Sequence, residues 1–432
     1  MNILLTGSTG FIGSHVLTKL IQLNHNVIAC VRNPKRQQEL FPQVNFVKID
    51  FMQATALNDW MPTLTNIDVV INTVGIISET KNQTFAALHT DAPSALFSAA
   101  EKAGVKRVIQ ISALGADDQA TSEYHLSKLA ADDVLASLSL DWAILKPSLV
   151  YGNGAKSMGL FRAMATLPII PLIEGGTQKM QPIQVNDLVD TIIACLDDTL
   201  DKDSPTQLIL DVVGPDEMSM KELLLKQRQW LGLKTAKTIS TPLKWVLRFM
   251  PFTRWLDEPA LTADSLKMLQ RGNIADVSPL KKVLGKMPES MDSVLRNNQA
   301  SPADRWYAGL YFMRPLLRLG IAFIWIWTAI ISAFLYPQAE SYQLLERFGL
   351  SGIMLPIALY GSALMDFILG MAMFFYQPIR TVLWIQVGVI IAYTALITAV
   401  LPEYWLHPFG EISKNIPMLL ALFILIIMEN RK

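Results

Sequence analysis

Short apolar runs punctuated by glycines and polar turns fill the first part of the chain, and long uncharged apolar stretches fill the last quarter. The first run, Ile3-Leu4-Leu5, stops at Thr6-Gly7. Further glycines stand at 10 and 13, and His15 to Ile21 carries a helical period. This pattern predicts a buried strand, a tight glycine turn and a helix start. The strand pattern recurs at Asn26–Val31, Val44–Ile49, Val69–Gly75, Arg107–Ser112 and Asp141–Lys146, with a helix over roughly 91–102 leading into the fifth. Strands and helices alternating at this pace predict an α/β fold with a doubly wound parallel sheet.

The last quarter reads differently. Seventeen uncharged residues, Leu319 to Leu335, follow Arg314 and Arg318. Phe348 to Ile379 holds one charge, Asp366; Thr381 to Pro402 has none in 22 residues, and Asn415 to Met428 none in 14. A bilayer core takes about 20 apolar residues per helix, so an all-α bundle of four transmembrane helices is expected, the fourth the shortest. A buried all-helical core is the alternative. Twelve Asp, Glu, Lys and Arg fall in the 115 residues from Arg318 onward, against 62 in the first 317. With the N-terminal half in the cytoplasm, Arg314, Arg318, Arg380, Arg431 and Lys432 lie inside, and Arg347 and Lys414 outside. That split follows the positive-inside rule and predicts a multi-pass membrane protein with a cytoplasmic C-terminus. Trp306, Tyr307, Tyr311 and Phe312 before the first helix, and Tyr404, Trp405 and His407 before the fourth, suit aromatic belts. An ionisable group inside a span is costly, which makes Asp366 a candidate functional residue; proximity to a kink or the interface is the alternative. The expected divisions are residues 1–300, an interfacial linker 301–317 and a membrane domain 318–432.

Composition narrows this picture. The net charge is zero, which gives no support to a nucleic-acid partner. Cys30 and Cys195 lie far apart in apolar elements and read as small hydrophobes. No basic region precedes the first apolar run, which is too short for a signal peptide. His15, His25, His89, His125 and His407 show no metal-ligand spacing, and HExxH, CxxC and GxSxG are absent, so no metal site is expected.

The candidate chemistry begins at the glycines. A phosphate cradle needs a turn without Cβ, a backbone that approaches the pyrophosphate, and a helix N-terminus whose N–H groups face the anion. The spacing is GxxGxxG, and the strand–turn–helix context makes the stretch Gly7, Ser8, Thr9, Gly10, Phe11, Ile12 and Gly13 a dinucleotide-binding loop. The second strand ends at Arg32, followed by Lys35 and Arg36, where an acid would hold the ribose 2′-hydroxyl of NAD. A guanidinium pairs instead with a 2′-phosphate, which favours NADP(H) over NAD(H); a solvated basic loop is the alternative. Asp50, with Phe51 beside it, ends the third strand where the adenine edge would lie. Thr73, Val74 and Gly75 end the fourth in small residues where a cofactor must pass. Tyr124 and Lys128 stand four apart on a predicted helix and so share a face. A phenol titrates near 10, and a nearby ammonium together with a positive nicotinamide ring would lower that value.

At these residues the chain resembles the short-chain dehydrogenase/reductase superfamily. The likeness rests on TGSTGFIG, on Ser112 with Tyr124-xxx-Lys128, and on KPSLVYG. It is strongest to the atypical or extended, epimerase-like branch, and ISALGAD before YxxxK resembles the group containing the nucleotide-binding accessory subunit of respiratory complex I. The resemblance covers about residues 1–300 and implies a Rossmann-type fold. It also implies catalytic roles for Tyr124, Lys128 and Ser112, and a cofactor strip at Pro147, Ser148 and Leu149 beside the nicotinamide. One departure is Ala113, where the family often carries the hydroxyl that bonds the substrate oxygen. Pro182–Asp187 resembles the family's later strand before a helix, Leu188 to Leu196, with Asp187 its N-cap or a substrate ligand. Residues 151–300 form the expected substrate half, and 217–300 a small helical lid. Within it, residues 242–257 combine Trp245, Phe249, Phe252 and Trp255 with Lys244, Arg248 and Arg254, as in a segment lying at a membrane interface or in an amphipathic lid helix. The last 115 residues resemble the DoxX-like family of small four-helix bacterial membrane proteins, through SYQLLERFGLSG, LYGSALMDFILG and LPEYWLHPFGEISKNIP, which implies a bacterial inner membrane.

These features together predict a membrane-anchored, NADP(H)-dependent oxidoreductase acting on a carbonyl or hydroxyl, with a lipophilic substrate such as a quinone or lipid. Its partners would be that small molecule, the bilayer, and a protein partner or second copy. A non-catalytic NADP(H)-binding sensor or structural module is one alternative. A nucleotide-sugar epimerase or dehydratase is another.

Overall fold

Ile3, Leu4 and Leu5 set the layering of the N-terminal fold, because successive strand residues face opposite ways. Ile3 and Leu5 pack with Val16, Leu17 and Leu20 on one side of the sheet, and Leu4 packs with Trp60, Leu96 and Phe97 on the other. All three strand residues are fully buried. A computed structural model describes residues 1–80, 82–196, 207–253 and 262–429, in two units, Met1–Ala308 and Gly309–Lys432.

The first unit is built on seven parallel strands: β1 Asn2–Thr6, β2 Asn26–Val31, β3 Asn45–Lys48, β4 Val69–Asn72, β5 Arg107–Ile111, β6 Asp141–Pro147 and β7 Gln207–Val212. Their order is β7-β6-β5-β4-β1-β2-β3. The order reverses between β1 and β4, and all strands run the same way, so their C-terminal ends share one edge beside that switch point. Ligands of open α/β sheets bind there. β7 was not foreseen in the sequence. It is an edge strand whose Gln207 and Asp211 break the apolar run, and it is fixed by pairing with β6 from Gln207↔Trp142 to Val212↔Pro147.

Helix α1, Phe11–Gln22, follows the glycine turn, and helix α2, Ala92–Ala103, follows a π-helical turn at Ala86–Asp91. Pro93 has no N–H to give the His89 carbonyl, which accounts for irregular winding just upstream. Helix α3, Glu123–Ala136, is capped by Ser122, whose hydroxyl accepts from His125 N–H. Helix α4 is Val185–Ala194, starting three residues before the expected Leu188. The Gln184 side chain accepts from Asn186 N–H and so caps it. Asp187 is therefore not the N-cap. It lies within the first turn, and its carboxylate accepts from Glu289 N–H at 2.8 Å.

The expected lid contains helices Met220–Trp230, Leu243–Thr253, Ala263–Arg271, Ser278–Leu284 and Met291–Asn297. On Leu243–Thr253, Trp245 and Leu247 are exposed. Arg254, Trp255 and Asp257, which were part of the expected interfacial segment, lie outside the described residues.

In the second unit three spans are long and apolar enough to cross a membrane: Met313–Leu335, Met354–Phe375 and Ile379–Val400. The regular part of the first is α5, Met313–Ile330; the others are α6, Met354–Phe375, and α7, Ile379–Val400. The expected fourth span is α8, Asn415–Met428, whose 14 residues fall short of a full crossing. An additional helix, Gln338–Arg347, separates the first two spans. Large apolar side chains point outward from these helices, among them Phe323, Ile357, Leu364 and Ile391. Arg314 is buried and paired through two nitrogens with Glu429, at 2.8 and 2.7 Å. Arg431 and Lys432, counted toward the orientation, lie outside the described residues.

Candidate functional site

The three glycines serve different purposes. Gly7 has φ +75°, and a Cβ there would stand 2.6 Å from Thr73 Oγ1. A Cβ on Gly13 would stand 2.1 Å from the Gly7 carbonyl oxygen and 2.6 Å from Thr73 Oγ1, so α1 and the ends of β1 and β4 touch at this point. Gly10 donates its N–H to Gly7 O at 2.8 Å and is the extended N-cap of α1, with no side-chain cap. The first N–H groups of α1 are thus not taken up by a capping side chain, as an anion site requires. Ser8 is buried, and its hydroxyl has no partner among the described residues; Thr9 is exposed, and Phe11 and Ile12 are half-buried. A close backbone turn, an uncapped helix start and an unpartnered hydroxyl fit the pyrophosphate of a dinucleotide.

The other strand ends stand along the same edge. Arg32, Lys35 and Arg36 are exposed and form no ion pair among the described residues. Asp50 accepts from Met52 N–H at 3.1 Å, and Phe51 packs edge-on against Trp60, ring centres 5.2 Å apart. Thr73 donates its hydroxyl to Thr6 O at 2.8 Å. Pro147 ends β6; Ser148 donates its hydroxyl to Gln181 O at 2.5 Å, and Leu149 O accepts from Ile183 N–H at 3.0 Å. A buried polar ladder crosses the sheet below this edge. Thr6 Oγ1 donates to Asn72 Oδ1 at 2.5 Å, and Asn72 Nδ2 donates to Gln110 Oε1 at 2.7 Å. Each such bond contributes about 1 kcal/mol net and fixes the register of β1, β4 and β5.

Tyr124 and Lys128 share one face of α3, with Asp132 a further turn along. Lys128 is buried, and its Nζ donates to Val74 O and Ile111 O, both at 3.1 Å. These carbonyls close β4 and β5, so the ammonium sits between two strand ends; a Cβ on Gly75 would be 3.2 Å from it. Burial pulls the Lys128 ammonium down to about 8, against the opposing pull of Asp132. Burial pushes the Tyr124 phenol up to about 12, and Asp132 adds to that. The expected lowering of Tyr124 by Lys128 does not hold in the chain alone: burial and then the Asp132 carboxylate set the direction. Tyr124 is thus a protonated phenol at neutral pH.

Ser112 differs from its expected placement. Its hydroxyl donates to Asp132, a buried carboxyl that burial raises to about 6 against the lowering effect of that bond and of Lys128. The Ser112 proton is committed to α3, and Ala113, next in sequence, has no hydroxyl to offer. Asp132 was missed in the sequence, although its spacing of eight from Tyr124 places it on the same helix face.

His89, also passed over, is fully buried beside Tyr124. Their rings meet edge-on with centres 5.4 Å apart, and Phe85 stacks on the imidazole at 5.1 Å. Ile76 N–H donates to His89 Nε2 at 3.0 Å, which leaves the proton on Nδ1 to reach Ser127 Oγ at 2.9 Å. Ser127 donates in turn to Tyr124 O at 2.9 Å. Burial, and then Lys128, hold His89 neutral, down to about 2. No local sequence signal marks it, because its contacts come from the π turn and from residues 38 positions away.

Residues 7–199 match the NAD(P)H-binding family and residues 322–423 the DoxX-like family. The chain is 27% identical to the NADH dehydrogenase (ubiquinone) 1 alpha subcomplex subunit 9 of Arabidopsis thaliana mitochondria, over 57% of this chain and 64% of that one. It is 29% identical to the ceramide reductase of Caulobacter vibrioides, over 44% of this chain and 59% of that one. It spans less than two thirds of either relative. Among solved structures, UDP-glucuronic acid 4-epimerase from Bacillus cereus, in complex with UDP-glucuronic acid and NAD, aligns with TM-score 0.53 at 19% identity, covering 72% of this chain and all of that one. A nucleoside-diphosphate-sugar epimerase from Staphylococcus aureus aligns with TM-score 0.54 at 20% identity, covering 68% of this chain and all of that one. At these identities the likeness is one of fold. The chain thus joins an NAD(P)-binding Rossmann domain, with short-chain dehydrogenase and epimerase-like relatives, to a C-terminal DoxX-like domain.

Proposed function

We propose that the N-terminal unit is an NADP(H)-dependent oxidoreductase acting on the carbonyl or alcohol of a lipophilic substrate. The supporting observation is the pairing of Tyr124 with Lys128 on α3, with the Lys128 ammonium held by Val74 O and Ile111 O beside the glycine turn. Bound NADPH would supply the hydride to the carbonyl carbon. The chain does the rest. Tyr124, protonated at neutral pH, gives its proton to the carbonyl oxygen as the alcohol forms. Lys128 stabilises the phenolate left behind and bonds the nicotinamide ribose. Ser112 acts through Asp132 rather than on the substrate, so orientation of the oxygen rests on Tyr124. Gly7, Gly10 and Gly13 hold the pyrophosphate, and Arg32 pairs with the 2′-phosphate.

A lipophilic substrate is supported by the apolar helices carried on the same chain, and by the name of the Caulobacter relative, a reductase of ceramide. The substrate half is consistent with this, since its core includes Met158, Met180, Met218, Met220 and Met291. Methionines adapt to irregular apolar shapes. We place the protein in a bacterial inner membrane, with the nucleotide domain and C-terminus on the cytoplasmic side. The second reading, a non-catalytic NADP(H) sensor, is favoured by one feature: neither Ser112 nor Ala113 offers a free hydroxyl to a substrate.

The test is cofactor affinity of the detergent-solubilised full chain, wild type against Arg32→Ala. NADPH binding should weaken about tenfold or more in the variant, with NADH little changed. A wild-type preference for NADH would overturn the NADP(H) assignment.

A further inference from the structure

Three buried polar side chains lie at about one level near the middle of the second unit's spans. Helix α6 turns Ala363, Asp366, Gly370 and Met373 to one buried stripe. Gly370 is pressed against α5: a Cβ there would stand 2.6 Å from Ile326 Cγ1 and 3.1 Å from the Ala322 carbonyl oxygen. Small residues at a crossing let two backbones approach this closely. Trp325, between those positions on α5, packs in one apolar cluster with Leu369 and Val387. From α7, Gln386 Nε2 donates to Leu369 O at 3.2 Å. Trp325, Asp366 and Gln386 therefore lie within about one turn of the same level of α6. They are 6%, 7% and 0% exposed.

Trp325 Nε1, Asp366 Oδ1 and Gln386 Oε1 have no hydrogen-bond partner among the described residues. In hydrocarbon such groups are costly, and a Phe and two Leu would fill the same space without that penalty. The chain keeps instead one donor and two acceptors at one level of the helices. A hydroxyl satisfies such a set: its oxygen accepts from the indole N–H, and its hydrogen is donated to the carboxyl or amide oxygen. At mid-span depth the hydroxyl must be carried by a membrane-soluble molecule. We propose that Trp325, Asp366 and Gln386 form a binding site for the hydroxyl head of a lipid-soluble alcohol or quinol. This inference stands apart from the oxidoreductase reading, since it uses none of the nucleotide unit's residues.

The full chain in lipid nanodiscs would be titrated anaerobically with decylubiquinol, with its dimethyl ether, which lacks the O–H, and separately with dodecanol. Saturable binding of about one molecule per chain is expected for a hydroxyl probe and not for the ether. Asp366→Leu and Gln386→Leu should each weaken it about tenfold, and Trp325→Phe by a smaller factor, with an unchanged helical circular-dichroism spectrum of the full chain as a check on folding. Binding of decylubiquinol alone assigns a quinol, and binding of dodecanol alone assigns an alcohol. A second readout needs no apolar variant. The infrared carboxyl band lost in Asp366→Asn should shift in the wild type when the hydroxyl probe is added. The proposal is overturned if neither probe saturates, if binding is indifferent to all three substitutions, or if Gln386→Leu raises the melting temperature and the carboxyl band ignores both probes.

Discussion

Gly13→Ala tests whether the glycine turn is a single mechanical unit. The added Cβ would lie 2.1 Å from Gly7 O, where side-chain carbons stay beyond about 3 Å, so about 0.9 Å must come from moving the turn or the helix. The helix cannot yield easily, because Val16, Leu17 and Leu20 anchor α1 in the core. Overpacking of this kind costs about 1–3 kcal/mol, which in a unit of this size lowers the melting temperature by roughly 2–5 °C. The displaced turn should also lose two N–H bonds to the pyrophosphate, each contributing about 1.5 kcal/mol or more, so NADPH affinity falls at least about a hundredfold. Gly10→Ala is the control. Its Cβ meets only Gly7 O, at 3.2 Å, in an ordinary backbone conformation. That variant should melt within about 1 °C of wild type while still binding NADPH less well, since its methyl stands at the uncapped start of α1. Thermal melts and NADPH fluorescence titration of the three proteins decide the matter. A Gly13→Ala protein with wild-type melting and affinity would refute the argument.

Two further outcomes follow from the buried groups around Tyr124. The Asp132 carboxyl is raised from 3.8 to about 6, so the unfolded chain ionises while the folded one stays protonated, and wild-type stability falls as pH rises through that window and levels off above it. At about 1.36 kcal/mol per pH unit the loss is about 3 kcal/mol, so Asp132→Asn should match wild type near pH 4 and exceed it near pH 7; a gap in melting temperature that ignores pH would refute this. His89→Ala should free the Tyr124 ring and move the Tyr124 titration, followed by carbon-13 NMR of labelled tyrosines with Tyr124→Phe as the assignment, while His89→Gln, which keeps a donor and an acceptor, restores part of it. An unmoved titration would show that His89 only fills space.

Much of the fold was legible because its pattern is local. Ile3-Leu4-Leu5 before Gly7, and the four-residue spacing of Tyr124 and Lys128, carry their meaning within one turn of chain. The strand β7 was not legible, since an edge strand such as QLILDV is defined by its partner β6 rather than by its own alternation. Asp187 was misread for a similar reason: an acid near a helix start suggests a cap, yet Gln184 performs that task and Asp187 is claimed by Glu289, 102 residues on. The shift of Tyr124 to about 12 was also out of reach, because burial, not the visible lysine, sets its sign. Asp366 stood out as an ionisable group within a span, whereas His89, Trp325 and Gln386 gain their significance only from residues brought together by folding.

The central claim is most directly tested by hydride transfer in the full chain, reconstituted with NADPH and a panel of long-chain ketones, quinones and ceramide-like lipids. The account predicts NADPH oxidation with at least one lipophilic carbonyl, reduced by about a thousandfold or more in Tyr124→Phe while NADPH affinity stays at the wild-type value. Tight NADPH binding with no turnover across the panel, or turnover that Tyr124→Phe leaves intact, would contradict it.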